Sequence, residues 1–373
     1  MKKSSLLLLA AGLTSGGAAF AQTNVTIYGI VDTSIHYLSN ANANGSSNIR
    51  VDNGAIANSR LGFKGTEDLG GGLKAMFQLE NGFSSDTGAM SQANTLFNRQ
   101  SWVGLQGSFG KVRLGKQNTP LFDLLADHFD PLTVGNYASN SWLPAAGTLI
   151  RTPNMVRYDG DFGPVSAAVS YAFGEQAGSM RPGSQFSSAL RYASGAFAIG
   201  GGFQQTVDTT TARNKDTVWN LSASYDFGSA KVFGGWFNIK DATGMTAAYM
   251  AADSDVSSSS AWTKANAGGT VGVQRKDNGF FLGTSYKATS ALTLTGAFYY
   301  DKSKNVSYGG TNYGDGKRYA LVGWADYALS KRTQLYTTID YNKAKDAAVY
   351  ELTNSASGKN SLTTVGVGIR HIF

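Results

Sequence analysis

The residues best placed to do chemistry are cations that recur at alternating positions, and their chemistry is electrostatic. In the stretch SRLGFKG, Arg60 and Lys64 alternate with Leu61 and Phe63. Successive side chains of a strand point to opposite faces, so the cations share one face and the apolar groups the other. By the same parity this polar face also carries Lys74, Arg113 and Arg157. Such a face predicts a water-exposed wall that acts on ions through its charge.

Covalent and metal-assisted catalysis find no support in the sequence. The three histidines, His36, His128 and His371, do not stand beside Ser or Asp in a nucleophile motif. Cysteine is absent, which removes thiol nucleophiles and thiolate metal sites. The turn GGGLK is followed by no helix, so it is not a phosphate-binding loop. We therefore expect no catalytic residue, no metal and no cofactor.

One long segment, residues 118–150 (loop three), is expected to be functional. It carries three carboxylates, Asp123, Asp127 and Asp130, and a short helical patch at 121–130. Connections of this length in a compact fold are usually functional. Its apolar residues, including Leu121, Leu125 and Phe129, suit a loop that packs inside on a wall, whereas an external flap would not need them. The acids are then expected to face the arginines.

The elements that position these residues are β-strands throughout. Alternation of apolar and polar residues recurs from VTIYGIVDTSI near the start to TTVGVGIRHIF at the end. Seven short turns are expected at 67–72, 108–110, 159–164, 193–196, 226–230, 287–291 and 329–333. Eight longer stretches lie at 38–55, 83–93, 118–150, 173–185, 208–214, 241–269, 302–315 and 345–359. Sixteen strands joined in this way predict an all-β, transmembrane antiparallel barrel with its third loop folded inward.

The two ends of the chain agree with a barrel in a membrane. MKKSSLLLLAAGLTSGGAAFAQ has a basic start, an apolar stretch and an A-x-A site, so residues 1–21 are predicted to be a cleaved signal peptide. Residues 22–373 then form one barrel domain. In the last strand, Val365, Val367 and Ile369 face lipid, while Arg370 lies on the inward face. Phe373 is expected in the aromatic girdle at the membrane edge.

The basic composition has two interpretations. A pI near 9.3 with 12% aromatic residues could indicate binding to nucleic acid. The alternating pattern instead assigns the aromatic residues to lipid and the cations to the lumen, so we expect no nucleic-acid partner.

Several long motifs in order resemble the Gram-negative general diffusion porins, specifically the β-proteobacterial trimeric type. They are VTIYGIVD, SRLGFKGTEDLGGGLKAMFQLENGF, FNRQSWVGLQGSFGKVRLGKQ, YALSKRTQLY and VGIRHIF. The resemblance implies a homotrimer of sixteen-stranded barrels, each with a water-filled pore narrowed by loop three. It also implies that Phe373 is part of the signal for the outer-membrane assembly machinery. Arg60, Arg99 and Arg157 match arginines that line the constriction in related porins.

The roles of these arginines stay open at this point. They either line a wide aqueous channel or form a cluster at its narrowest level, where Arg113 and Lys74 would join them. The face of Arg99 is undecided, because strand alternation breaks around Trp102 and Val103.

The predicted function is passive diffusion of ions and small hydrophilic solutes through the outer membrane, with a weak preference for anions. The expected surroundings are outer-membrane lipid and lipopolysaccharide. A substrate-specific channel is the alternative, and an outer-membrane enzyme or a closed structural or adhesive barrel ranks below it.

Overall fold

The computed structural model describes residues 24–41, 44–134, 138–209, 211–250, 270–308, 310–352 and 359–373. The predicted signal peptide, residues 1–21, lies outside this part of the chain. No helix in the described ranges is long and apolar enough to cross a bilayer.

One antiparallel sheet contains all strands of the described chain. Its strands are β1 (Asn24–Leu38), β2 (Asn48–Asn53), β3 (Arg60–Gly70), β4 (Leu73–Gly82), β5 (Gln100–Gly107), β6 (Gly110–Asn118), β7 (Arg151–Phe162), β8 (Val165–Ala172), β9 (Gln185–Ser194), β10 (Phe197–Val207), β11 (Lys215–Asp226), β12 (Ala230–Asp241), β13 (Arg275–Lys287), β14 (Leu292–Tyr308), β15 (Thr311–Ala328), β16 (Thr333–Asp346) and β17 (Ser361–Ile372). The helices are α1 (Pro120–Leu124), a π-helix (Leu125–Phe129), α2 (Ala138–Thr148), α3 (Met245–Met250) and a 3-10 helix (Ala347–Glu351).

The sheet closes into a barrel through its first and last strands. β1 pairs with β17 from Ile30↔Ile372 to Leu38↔Thr364. On its other side β1 pairs with β3 over Asn24–Ile30 and with β2 over Thr33–Leu38. β2 and β3 run in the same direction, so they are two halves of one barrel strand interrupted at residues 54–59. The barrel therefore has sixteen strands, as the sequence predicted, and closure leaves no sheet edge unpaired.

The connections alternate between short and long, with two differences from the expectation. Seven turns of two to four residues lie at one rim, and this rim is called the short-turn rim below. The predicted polar loop 38–55 contains strand β2, which extends the wall beside β1. The predicted long loop 302–315 is mostly strand, because β14 and β15 continue past a register shift near Ser303 and Val306 and pair as far as Tyr308↔Thr311.

The last strand has the predicted two faces. Val365, Val367 and Ile369 are exposed on the outside, whereas Thr364 and Gly366 are buried. The Gly29 amide donates to the Phe373 carbonyl at 3.1 Å, and the Phe373 amide donates to the Gly29 carbonyl at 3.1 Å. A Cβ on Gly29 would lie 2.3 Å from Cζ of Phe373. The missing side chain at Gly29 thus makes room for the terminal ring.

Loop three packs inside the barrel and forms a large part of the buried apolar core. Its largest fully buried side chains are Leu121, Leu125, Phe129, Leu132, Trp142, Leu143 and Leu149, and they form one cluster with Phe237, Phe281 and Tyr299 of the wall. Glycines of β10 provide the recess: a Cβ on Gly200 would lie 2.8 Å from Phe129 Cε2. The inward folding expected from the apolar residues of loop three is therefore present, and α2 is a helix that the sequence pattern did not indicate.

Candidate functional site: the constriction beside loop three

The start of loop three is built to present acids to water and apolar groups to the wall. The Thr119 hydroxyl caps α1 by accepting a hydrogen bond from the Phe122 amide at 3.2 Å, and Pro120 occupies the first turn. The helical stretch then buries Leu121 and Leu125 against the wall. Asp123 and Asp127 lie on the opposite side, where two cavities adjoin the loop.

The larger of these cavities, called the eyelet cavity here, has a volume of about 510 Å³ and separates loop three from a basic wall. The cations lining it are Arg60, Arg99, Arg113, Arg151 and Arg370. The acids lining it are Glu80, Asp123 and Asp127. Five cations and three carboxylates leave a net charge of +2 at the place where the water-filled path is narrowed.

The basic wall holds its arginines by specific contacts. Arg99 is buried, and its Nε donates to Glu80 Oε1 at 2.5 Å. Arg60 donates from Nε to the Asn58 carbonyl at 3.0 Å. The guanidinium of Arg151 lies 5.7 Å from the ring centroid of Phe122 in loop three. These contacts orient the guanidinium groups while leaving much of their charge uncompensated.

Alternation placed Arg60 on this wall and the family resemblance placed Arg99 there, but three further residues that line the cavity were missed. Arg151 is the first residue of β7, directly after loop three, and its strand parity gives no cue because the helix α2 precedes it. Arg370 was placed on the inward face by alternation without being assigned to the site. Glu80 has the same parity as Lys74 on β4, which was a usable signal for an acid among the cations.

Arg157 lines a second cavity of about 420 Å³, called the inner cavity, which adjoins loop three nearer the short-turn rim. Its guanidinium bridges Asp123 Oδ2 and Asp159 Oδ1, each at 2.6 Å. Arg113 also binds Asp159, with 2.7 Å between Nη2 and Oδ2. Arg157 is therefore separated from Arg60 and Arg99, and two carboxylates compensate its charge.

Two predicted constriction residues occupy other places. Lys74 is the second residue of β4, opposite Asp68 and Gln106 in the register, and it is exposed near the turn between β3 and β4. Asp130 is 3% exposed, and its carboxylate accepts hydrogen bonds from the Tyr299 hydroxyl and the Val134 amide, each at 2.6 Å. Lys74 lies at the rim because it stands at the start of its strand. Asp130 anchors loop three because its buried carboxylate accepts both hydrogen bonds.

The ionisation of Asp127 is sensitive to its surroundings. Its side chain reaches the water of the pore, yet desolvation by the enclosing protein, and then the nearby charge of Asp123, raise the pKa of Asp127 to about 6. Arg157 opposes this shift. The neighbouring His128 has a pKa below its ordinary value because of burial and then the charges of Arg191 and Lys231.

The interruption of the barrel strand, residues 54–59, supplies another part of the wall. Asp32 is fully buried beneath it, and its Oδ2 accepts a hydrogen bond from the Ala57 amide at 2.9 Å. Its Oδ1 accepts from the Tyr336 hydroxyl at 2.5 Å. This anchoring directs Ala57 and Asn58 towards the eyelet cavity. The sequence contained no periodic signal for this interruption, because residues 54–59 do not form a strand and do not follow the pattern of a turn.

Among the described residues no group of three or more His, Cys, Asp or Glu side chains is arranged to hold a metal ion. The arrangement acts on solutes through charge and size. It is a narrowed, water-filled passage with a basic wall opposite an acidic loop.

Comparison with known proteins agrees with a narrowed passage through a barrel. The family model described as Gram-negative porin matches residues 5–347. Outer membrane porin protein 32 of Delftia acidovorans is 38% identical over 248 residues, which cover 63% of this chain and 68% of that protein. Major outer membrane protein P.IB of Neisseria meningitidis serogroup B is 32% identical over 242 residues, or 61% of this chain and 67% of that protein.

Among solved structures, an anion-selective porin from Comamonas acidovorans superposes with a TM-score of 0.74 at 29% identity, covering 94% of this chain and 100% of that one. The family match extends over most of the chain, and the barrel, the inward-folded third loop and the narrowed lumen agree with it. The chain belongs to the Gram-negative porin family.

Proposed function

We propose that this outer-membrane diffusion channel passes small hydrophilic solutes with a modest preference for anions. The observation that carries the proposal is the net charge of +2 around the eyelet cavity, from five arginines and three carboxylates. Guanidinium groups stay ionised at any working pH. Because the lumen is aqueous, ions keep most of their hydration, so the charge biases passage and does not act as a strict filter.

The similarity to the Comamonas acidovorans porin supports this direction of selectivity, since that protein is described as anion-selective. The basic wall of this chain supplies the physical basis within its own lumen, and its members are Arg60, Arg99, Arg113, Arg151 and Arg370. Lys74 and Asp130 are left out of the proposed constriction, because their positions are at the rim and in the core.

The test is recording from the purified protein in planar bilayers. We expect large ohmic steps of conductance and, in a gradient of KCl, a zero-current potential with the sign of chloride preference. A potential with the opposite sign contradicts the proposed selectivity. Saturable block by one sugar or acid favours a substrate-specific channel, and a silent bilayer favours a closed structural barrel.

The assembly is proposed to be a homotrimer. The outward faces of β1 and β17 carry smooth apolar side chains, such as Val31, Ile35 and Val367, which are exposed in the single chain. Faces of this kind pack closely in a membrane, where lipid offers no hydrophobic gain. The loop at 83–93 is the candidate latch over a neighbouring barrel. Unheated detergent extracts should migrate near three times the monomer mass, and a monomer alone after gentle extraction argues against the trimer.

Export and insertion complete the proposal. Cleavage after residue 21 leaves one barrel domain at 22–373, and amino-terminal sequencing of the protein from outer membranes should begin at Gln22. The strand that ends in Phe373 is proposed to engage the assembly machinery. Lipid and lipopolysaccharide are proposed to contact the apolar outer face.

A further inference from the structure

The inner cavity differs from the eyelet cavity in position and in charge. It lies on the side of loop three that faces the short-turn rim, because Lys111 and Ser166 stand one residue inside the turns at 108–109 and 163–164. Arg113, Asp123 and Asp127 line both cavities. A solute that leaves the eyelet cavity therefore enters the inner cavity next.

The inner cavity has an apolar surface beside its charged groups. Met76 and Trp102 project from β4 and β5, and Leu124 projects from loop three. The facing wall carries the small side chains of Ala168 and Ala189, which leave the volume of about 420 Å³ open. In the described part of the chain the indole Nε1 of Trp102 has no hydrogen-bond partner. The surface fits a compact apolar group of a solute.

The charges of the inner cavity are balanced. Its cations are Lys111, Arg113, Arg157 and Arg191. Its acids are Asp123, Asp127, Asp159 and Asp161. Four of each sign give a net charge of zero, against +2 at the eyelet cavity. A single anion or a single cation therefore gains little here from the overall field.

The internal ion pairs use only half of these groups. Arg113 and Arg157 share Asp159, and Arg157 also holds Asp123. Lys111 and Arg191 are outside these pairs, as are Asp127 and Asp161. The carboxylate of Asp161 accepts a hydrogen bond from the Ser166 hydroxyl at 2.7 Å. Two cations, Lys111 and Arg191, and two acids, Asp127 and Asp161, thus remain outside the ion pairs around an apolar surface.

We propose that the inner cavity is a binding site for zwitterionic solutes with a compact apolar group, the chemical class of neutral α-amino acids with apolar or aromatic side chains. Arg191 and Lys111 bind the carboxylate, Asp161 and Asp127 bind the ammonium group, and Trp102 with Leu124 receives the side chain. Such a solute satisfies both kinds of free charge at once, whereas an anion or a cation satisfies one and is repelled by the other. The site rests on the open diffusion path proposed above and adds a preference that net eyelet charge does not predict.

The first experiment measures block of the single-channel current at pH 7 by L-phenylalanine, 3-phenylpropionate and 2-phenylethylamine. The last two lack the ammonium and the carboxylate group respectively. We expect saturable block by L-phenylalanine and about fivefold weaker apparent affinity for each analogue, as one water-exposed charge contact is lost. Channels of normal conductance that show no saturable block by L-phenylalanine overturn the proposal. Equal affinity for 3-phenylpropionate also overturns it and leaves a site for anions only.

The second experiment assigns the two charges. Arg191→Gln should weaken block by L-phenylalanine and 3-phenylpropionate and, because a repelling charge is removed, strengthen block by 2-phenylethylamine. Asp161→Asn should weaken block by L-phenylalanine and 2-phenylethylamine and strengthen block by 3-phenylpropionate. Arg332→Gln, a matched change at the turn between β15 and β16, should leave all three affinities unchanged. If the solutes block Arg191→Gln and Asp161→Asn as they block the wild type, the assignment of the two charges is overturned. If a variant fails to fold, the series of solutes on the wild type still decides.

The zero-current potential in a KCl gradient, recorded in the same membranes, separates this proposal from the proposed anion preference. Normal chloride preference without block by L-phenylalanine overturns the binding site alone. Block by L-phenylalanine without chloride preference overturns the selectivity alone.

Discussion

Lowering the pH from 8 to 5 is expected to increase the anion preference of the channel, because Asp127 loses its charge over that range. With a pKa of about 6, its carboxyl is about 90% ionised at pH 7 and about 10% ionised at pH 5. The eyelet cavity then changes from five cations and three acids to five cations and two acids, or from +2 to +3. The sign follows directly, since protonation removes a negative charge.

The size of the effect can be estimated from the charge alone. A unit charge about 5 Å from a passing ion changes its energy by about 0.8 kcal/mol in water, which is about fourfold in local occupancy. The anion gains and the cation loses, so the permeability ratio should change by roughly 16-fold when the charge is fully removed. Salt screens over about 10 Å at 0.1 M, so the effect should shrink at higher ionic strength.

The assay is the zero-current potential in a KCl gradient, measured at half-unit steps of pH on the same channels. We expect a sigmoidal change with a midpoint near pH 6. Asp127→Asn should have the high anion preference at every pH and a flat profile. If Asp127→Asn titrates like the wild type, another group carries the change. If the wild type is flat between pH 5 and 8, the altered pKa of Asp127 has no effect on the pore.

Three further changes test the basic wall, the anchored segment and the closing strand. The double variant Arg60→Gln, Arg151→Gln lowers the net charge of the eyelet cavity from +2 to zero, so the zero-current potential should move to near zero. Arg332→Gln at the rim should leave this potential unchanged. If the double variant has the potential of the wild type, other groups select the ions. Asp32→Ala leaves two buried donors, the Ala57 amide and the Tyr336 hydroxyl, unpaired and should lower the free energy of unfolding by about 2 to 4 kcal/mol. The folded band on a gel should then convert to the unfolded band at a lower temperature than in the wild type. Equal conversion temperatures contradict the anchoring role of Asp32. Deleting Phe373 removes its two backbone hydrogen bonds and its ring from the closing pair of strands, so the folded fraction in outer membranes should fall, and an undiminished fraction argues against its role in assembly.

The strands themselves were accessible from the sequence because their signal is local. Two-residue alternation at VGVGIRHIF placed Val367 outside and Arg370 inside without knowledge of any partner strand. The same logic placed Arg60 on the lumen side. The sequence of short turns and long polar stretches led to sixteen strands, since each turn is encoded by neighbouring residues. The apolar residues of loop three indicated its packing inside the barrel for the same reason.

The exact extent of the elements was less accessible. Residues 302–315 are polar, and polarity alone indicated a loop, yet β14 and β15 pair within this range as far as Tyr308↔Thr311. The segment 54–59 interrupts a barrel strand because the buried Asp32 and Tyr336 hold it, and these residues are far apart in the chain. Such contacts leave no periodic pattern in the sequence.

The composition of the constriction was decided by tertiary structure. Alternation determines whether a side chain faces the lumen, but its height and its partners depend on strand register and on where loop three packs. Lys74 and Arg60 share a face, yet register places one near a turn and the other at the eyelet cavity. Asp130 and Asp127 are three residues apart, yet the bend of the chain turns one into the core and the other into water. The sequence determined which residues could meet in the pore, and only long-range packing decided which of them do.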